Sequence, residues 1–215
     1  TFSYQQATND CIKALARSGL RSIDYATGRS YNLDTGARMI VRTSVSQLAG
    51  KVTEANMEAT GQELVYVDAH DGARPEHAEW QGKVYTYSGT PTKEYPDFYD
   101  ATGYGEVDGL KGVNCTHNFF PYWEGASVVP EFKESEPKEI NGKEYTMYEA
   151  TQEQRQMERQ IRELKREKQA QIDSGQPDKH VVDKLNGKIK EKTDNYKDFS
   201  AQAGLRAKPE RMTVK

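Results

Sequence analysis

The segment AHDGARPEHAEWQGKVY, residues 69–85, places two histidines, a proline and a tryptophan between two strand-like runs. The run ELVYVDA leads into it and KVYTY closes it. Both are rich in β-branched and aromatic residues, so both predict short strands. Between them, Pro75 is well placed to open a short helix running to Trp80. The segment therefore predicts a small α+β module, over about residues 62–130, with little hydrophobic material.

A second window, GVNCTHNFFPYWEG at residues 112–125, adds a cysteine and a histidine to this module. Cys115 and His117 fall on the same side of the backbone if the segment is extended, because side chains alternate along a strand. His70 and His77 converge if their loop folds back over Gly72. All four are residue types that bind zinc, so the two windows predict one metal site formed by His70, His77, Cys115 and His117.

Two other interpretations of the same residues stay open. In the first, the histidines donate hydrogen bonds to loop carbonyls and Cys115 is a small buried hydrophobe. Alternatively the module is catalytic. It would then be a metal-dependent nuclease with His70 or His77 as general base and Asn114 or His117 as ligand, or an enzyme with Cys115 as nucleophile. The sequence has no acidic cluster with metal-ligand spacing, which counts against catalysis.

An N-terminal helical region is predicted over residues 1–61. Residues 3–18 fit one helix, residues 35–60 fit a longer one ending at Gly61, and a turn-rich connector joins them. The longer helix carries one stripe of apolar residues three and four apart, and we expect this helix to pack on the first. The stripe comprises Val41, Val45, Leu48, Val52, Ala55 and Ala59. The chain starts at Thr1, inside a helical pattern, so we expect it to be the later part of a longer protein.

The C-terminal part, residues 131–215, begins where the composition becomes charged and turn-prone after Pro130. Two helical patterns, at residues 148–173 and 177–202, are separated by SGQP, a helix stop followed by a proline at the next start. Neither pattern is apolar enough to form a stable helix alone, so together they predict an antiparallel helical hairpin. The whole chain therefore predicts an α+β fold.

Charge and cysteine usage restrict the possible functions. The net charge of -3 gives no overall basic surface, so contact with nucleic acid would need a local patch. The candidates for nucleic-acid or partner contact are Arg74, Lys83, Arg159 and Arg162, with ion pairing or solvation as the alternative role. Two distant cysteines form no disulfide framework. No run approaches the roughly 18 apolar residues that a membrane span requires.

Three segments together resemble the minor capsid protein 2 family of tailed bacteriophages, the siphovirus type of phages and prophages of Gram-positive bacteria. They are AHDGARPEHAEWQGKVY, DATGYGEVDGLKGVNCTHNFFPYWEG and YEATQEQRQMERQIRELKREK. The family pattern falls on His70, Gly72, Ala73, Arg74, Pro75, His77, Trp80, Gln81, Gly82, Lys83, Gly103, Tyr104, Gly105, Gly109, Leu110, Asn114, Cys115, His117 and Pro121. Thr116 departs from it, since the resemblance leads us to expect an arginine there.

The resemblance implies a non-enzymatic structural component of the virion that acts in head assembly at or near the portal vertex. Its implied partners are portal or major capsid subunits, with packaged DNA as a further candidate. It would be oligomeric within the particle and assembled in the bacterial host cytoplasm. Because the His/Cys segments recur together in the family, the resemblance also favours a single compact site with a bound zinc ion. A metal-dependent nuclease or delivered effector centred on this module is the rival prediction.

Overall fold

The computed structural model describes residues 3–18, 22–24 and 30–214, and these form two compact units. The first unit contains the described residues up to 70 together with residues 75–132. The second contains residues 71–74 and 133–214. Helices, short antiparallel strands and a C-terminal helix pair confirm the predicted α+β class. The predicted division into three domains, at residues 1–61, 62–130 and 131–215, stays a prediction.

The first unit begins with two helices, α1 (Tyr4–Arg17) and α2 (Leu33–Thr60), which contact each other. Ser3 caps α1 by accepting from the backbone of Gln6, and Gly61 ends α2 in the left-handed conformation, as a C-terminal glycine commonly does. Part of the predicted connector forms two antiparallel strands, β1 (Ser22–Asp24) and β2 (Ser30–Asn32). The rest of that connector lies outside the described residues.

The predicted packing of α2 on α1 is confirmed, but most of the apolar stripe of α2 is exposed. Val45, Leu48 and Val52 are 56%, 66% and 56% exposed, and Ala55 and Ala59 are exposed as well. The buried face of α2 carries instead Gly36, Ala37, Gly50 and Met57. Small residues on this face let neighbouring groups approach closely: a Cβ added at Gly50 would lie 3.0 Å from the Tyr104 hydroxyl. Apolar periodicity located the helix correctly, but it selected the wrong face as the buried one.

A three-stranded antiparallel sheet forms the centre of the first unit. Its strands are β3 (Leu64–Val67), β4 (Val84–Thr86) and β5 (Phe119–Pro121), and β3 lies between the other two. Two short helices flank the sheet, α3 (Pro75–Ala78) and α4 (Phe98–Thr102). The core around the sheet consists of Met57, Val65, Val67, Trp80, Tyr85, Phe98, Leu110, Cys115 and Phe119. Both predicted strands of the His/Cys module are therefore present.

The second unit contains a small hairpin, β6 (Lys138–Ile140) and β7 (Lys143–Tyr145), and the helices α5 (Met147–Asp173) and α6 (Lys179–Ala203). A capping box between Thr146 and Glu149 starts α5. Asp178 caps α6, and the two helices pack on each other as the predicted pair. A 3-10 turn, Pro209–Met212, returns onto α5. In the part of the chain that the structure describes, no helix has the length and apolarity that crossing a membrane demands.

Candidate metal centre

Three of the four predicted ligands converge inside the first unit. His77, Cys115 and His117 are 2%, 3% and 1% exposed, and their potential ligand atoms all lie within 4.8 Å of one another. The sheet explains why they meet. Val67, at the end of β3, pairs with Phe119, at the start of β5, so the loop after β3 and the segment before β5 adjoin. His77 comes from the first of these and the Cys-x-His pair from the second.

The hydrogen bonds of the two histidines determine which ring nitrogen carries the proton. The Nε2 atom of His77 lies 2.8 Å from the carbonyl oxygen of Asp108, which can only accept, so this nitrogen donates. The Nε2 atom of His117 lies 2.9 Å from Oε1 of Gln81. That atom also accepts from the backbone N–H of His70 at 3.0 Å, which identifies it as the amide oxygen. Both neutral rings therefore carry their lone pair on Nδ1.

These lone pairs are suited to metal binding. Metal-ligating histidines almost always donate their other ring N–H to a carbonyl or carboxylate, and Asp108 and Gln81 supply such acceptors here. Nδ1 of His117 lies 3.7 Å from the sulfur of Cys115, so its lone pair faces the thiol. Two imidazole nitrogens and one sulfur are a donor set typical of zinc. The group could therefore hold a metal ion through His77, Cys115 and His117.

Trp80 forms one wall of the site. Its ring centroid lies 4.5 Å from that of His77 and 4.7 Å from that of His117, the latter in an edge arrangement. Trp80 is only 7% exposed, and its backbone carbonyl accepts from the Tyr85 hydroxyl at 2.7 Å. The apolar ring excludes water from one side of the histidines, which strengthens electrostatic interactions within the site. Trp80 is also one of the core residues of the first unit.

His70 lies beside this group but is not one of its three members. Its ring stacks on that of His117, with centroids 4.1 Å apart and planes inclined by 28°. Its Nε2 atom lies 2.7 Å from the hydroxyl of Thr116, the residue at which the family pattern led us to expect an arginine. His70 thus supports the orientation of His117 from the solvent side. Its predicted role as a metal ligand stays a prediction.

The loop that leads to Cys115 is held by close backbone contacts that the sequence did not reveal. A Cβ added at Gly109 would overlap the carbonyl oxygen of Gly103, and one at Gly112 would overlap that of Val107. The tight turn also places the carbonyl of Asp108 on His77. Gly103 and Gly109 belong to the family pattern, and this was the only indication in the sequence that the loop is tightly packed. Asp108 acts through its backbone, so no side-chain motif could have identified it.

The four predicted contact residues lie in different environments. Lys83 and Arg159 are exposed, and the ammonium of Lys83 donates to the backbone carbonyl of Glu79 at 2.5 Å. Arg74 is half-buried. Arg162 donates through Nη1 to the carbonyl of Arg211 at 2.5 Å, so it anchors the C-terminal turn to α5. Arg159 and Lys83 are therefore more accessible to a partner than Arg162.

Comparisons with known proteins agree with the resemblance seen in the sequence. The family model described as phage minor capsid protein 2 matches residues 1–201. A structural protein of Lactococcus phage LL-H is 32% identical over 173 residues, which cover 77% of this chain and 44% of the relative. A structural protein of Lactococcus phage mv4 is 40% identical over 78 residues, 36% of this chain and 58% of the relative. The chain thus spans about half the length of these relatives. No solved structure matches it.

The α+β fold, its buried His/Cys group and these similarities define the class of the protein, which is a bacteriophage structural protein. Within that class, the chain belongs to the phage minor capsid protein 2 family.

Proposed function

We propose that this protein is a minor capsid protein that acts in head assembly at or near the portal vertex. It would contact portal or major capsid subunits, be oligomeric within the particle, and be assembled in the host cytoplasm. Membership of the family supports this proposal, and the exposed stripe on α2 is the structural observation that carries it. The role is one of assembly and not of catalysis.

The α2 stripe, defined as Val45, Leu48, Val52, Ala55 and Ala59, is suited to binding another protein. Its residues are three and four apart on the exposed side of one helix, as in helices that dock through a regular apolar seam. Soluble proteins rarely expose contiguous apolar patches unless these bind a partner. A subunit of the head that covers the stripe would remove it from water.

Cross-linking mass spectrometry on assembled particles tests this assignment. We expect Lys51, which lies beside the stripe, to cross-link to portal or major capsid subunits. The double substitution Leu48→Asp with Val52→Asp should reduce incorporation into heads, because it places charge in a buried contact. Gln47→Glu is the matched control, since Gln47 is exposed on the same helix. Cross-links confined to the tail, or full incorporation of the double variant, would contradict the proposal.

Within this function, the His/Cys group would bind zinc and stabilise the module. The His77, Cys115 and His117 donors support zinc because imidazole and thiolate together favour it over the hard cations. His70 is the candidate for a fourth ligand. To bind the metal through Nε2, His70 would have to give up the hydrogen bond between Nε2 and the Thr116 hydroxyl. Such a site would add folding energy to a module with a small core.

One observation favours the rival function of a metal-dependent nuclease or delivered effector. Three protein ligands with a fourth position left for water are typical of catalytic zinc. A plasmid-nicking assay with and without chelator separates the two functions. We expect no nicking from the purified chain. Chelator-sensitive nicking that His77→Ala abolishes would replace the structural assignment with the catalytic one.

Contact with packaged DNA is a further part of the proposal, and it would use the exposed basic groups. Affinity for duplex DNA should fall steeply as the salt concentration rises. Arg159→Gln and Lys83→Gln should each weaken the affinity and make it less dependent on salt. Arg74→Gln belongs to the same series. Arg162→Gln should instead lower the thermal stability, because Arg162 holds the Arg211 carbonyl. Binding that is absent or insensitive to salt would remove DNA from the list of partners.

A further inference from the structure

Beside the candidate metal centre, hydrogen bonds connect a buried lysine to an asparagine and that asparagine to an aspartate. The ammonium nitrogen of Lys111 is 2.5 Å from Oδ1 of Asn118. Nδ2 of Asn118 is 3.4 Å from Oδ2 of Asp68, whose other oxygen accepts from the Asn118 backbone N–H at 2.7 Å. The backbone N–H of Asp68 in turn donates to the Asn118 carbonyl at 3.0 Å. The sheet register therefore holds the carboxylate against the carboxamide.

Lys111 is placed in a way that is unusual for a lysine. It is 3% exposed, whereas lysine is almost never fully buried unless it is paired. Its φ of 62° is in the left-handed region, which normally favours glycine. Burial also lowers the pKa of its side-chain ammonium. A strained and buried backbone position that keeps a reactive side chain is a reason to look for chemistry there.

We propose that Lys111 and Asn118 form an intramolecular isopeptide bond, with Asp68 as a positioning residue that holds the Asn118 carboxamide. The neutral amine of Lys111 attacks Cγ of Asn118, so that an Nζ–Cγ bond forms and the Cγ–Nδ2 bond breaks. One proton moves from Nζ to Nδ2, which the Asp68 carboxylate holds by a hydrogen bond, and Nδ2 leaves as ammonia. The amide that forms replaces the amide that is lost, so the step needs no oxidant, reductant or further reactant.

The bond would close a covalent ring around the segment that carries two of the candidate ligands. Residues 111–118 include both Cys115 and His117. A closed ring reduces the conformational freedom of this segment in the unfolded chain, as a short disulfide loop does. The cross-link would thus stabilise the His/Cys loop independently of a bound metal. It does not depend on the proposed role in head assembly.

Mass spectrometry of the purified full chain tests the proposal directly. Loss of ammonia makes the intact mass about 17 Da lower than the sequence requires. Trypsin cleaves after lysine, and the sites around the bond are Lys93, Lys111 and Lys133. An acylated Lys111 is not cleaved, so residues 94–133 should remain one peptide that is lighter by the same amount. Its tandem spectrum should contain no backbone fragments from within residues 111–118.

A succinimide at an asparagine also removes ammonia, but it leaves Lys111 open to trypsin. Full mass together with complete cleavage after Lys111 would overturn the proposal, and so would a light peptide that is still cleaved there.

Substitutions identify the groups that take part. Lys111→Arg and Asp68→Asn should both restore the full mass, while Lys51→Arg, a change at an exposed lysine, should keep the loss. A cross-link that persists in Asp68→Asn would overturn the role of Asp68. If either variant fails to fold, the mass and the tryptic pattern of the unchanged chain still decide whether the bond exists.

Discussion

At the scale of single residues, Gln81 joins two histidines of the candidate metal centre. Its side-chain oxygen accepts from the His70 backbone and from the His117 ring, so it fixes both the tautomer and the tilt of His117. Gln81 is 7% exposed, which protects these bonds from competition with water. One buried amide thus prepares Nδ1 of His117 as a donor toward Cys115.

Replacing Gln81 by leucine should weaken zinc binding without removing a ligand. Loss of such a supporting hydrogen bond typically lowers metal affinity roughly 10- to 100-fold. A competition titration with a chromophoric chelator measures the affinity. Gln169→Leu is the matched control, because Gln169 is exposed on α5. Equal affinity of Gln81→Leu and the unchanged chain would show that Gln81 does not orient a ligand.

Two glycine-to-alanine substitutions should have opposite effects on stability. Gly109→Ala introduces a Cβ that overlaps the Gly103 carbonyl, so it should cost at least about 2 kcal/mol in the free energy of unfolding of the first unit. Gly187 lies exposed within α6 with no atom near its would-be Cβ. Gly187→Ala should therefore stabilise the hairpin by roughly 0.5–1 kcal/mol. Denaturant unfolding measures both, and a neutral Gly109→Ala would mean that the loop relaxes freely.

The identities of the three converging residues could be predicted from the sequence because histidine and cysteine are rare in it and are concentrated in two windows. The Cys115-x-His117 spacing further indicated that both side chains lie on one side. The supporting groups could not be predicted in the same way. The Asp108 carbonyl and the Lys111 position depend on the path of a glycine-rich loop, and that path follows from tertiary packing.

At the scale of elements, the α5–α6 hairpin joins apolar packing to a buried polar network. Ile161 and Tyr196 are fully buried between the helices. Beside them, Gln154 donates to Ser200 at 2.9 Å and to the Arg206 carbonyl at 3.1 Å. Gln154 and Ser200 both have hydrogen-bond partners, which offsets the cost of their desolvation. The network attaches the C-terminal segment to both helices.

Glu158 should make the hairpin less stable as the pH rises. It is buried beside the Tyr196 hydroxyl and Arg211. Burial raises its pKa despite the opposing effect of the nearby arginine. A folded pKa above the unfolded one means that the folded state holds more protons in the interval between the two. Stability therefore falls as the pH rises from the ordinary glutamate range through the raised pKa.

Glu158→Gln measures this effect. The variant should be more stable than the unchanged chain near neutral pH, and the difference should close in acid, where Glu158 is protonated in both states. Thermal unfolding of both proteins across this pH range provides the comparison. A variant that is less stable at neutral pH would show that the pairing with Arg211 outweighs the cost of burying the carboxylate.

The helices of this hairpin were predictable because stop and start signals at SGQP separate two long periodic patterns. No sequence pattern distinguishes Glu158, which is 3% exposed, from the other charged residues of α5. On α2, the regular spacing suggested that the apolar stripe is the buried face, but Gly50 and Met57, on the other side of the helix, are buried instead. Periodicity identifies an apolar stripe but cannot say whether it faces this chain's core or a partner.

At the scale of the whole molecule, each of the two units has its own hydrophobic core and its own means of fixing loops. The first unit combines a three-stranded sheet with the His/Cys group, and the second depends on one helix pair whose apolar core includes buried polar groups. Exposed apolar residues are concentrated on α2 and around Phe120 and Trp123. This distribution suits a protein that is completed by its neighbours in a particle.

The central claim is that the His77, Cys115 and His117 group is a structural zinc site. Elemental analysis of the purified chain, combined with thermal unfolding with and without a strong chelator, tests it most directly. We predict about one zinc per chain and a fall in the unfolding temperature on chelation. The Cys115→Ser variant should contain no zinc, and chelator should not change its unfolding temperature. His180→Gln, at the exposed histidine of α6, should leave both unchanged. A chain that contains no metal and unfolds at the same temperature with and without chelator would contradict a structural zinc site.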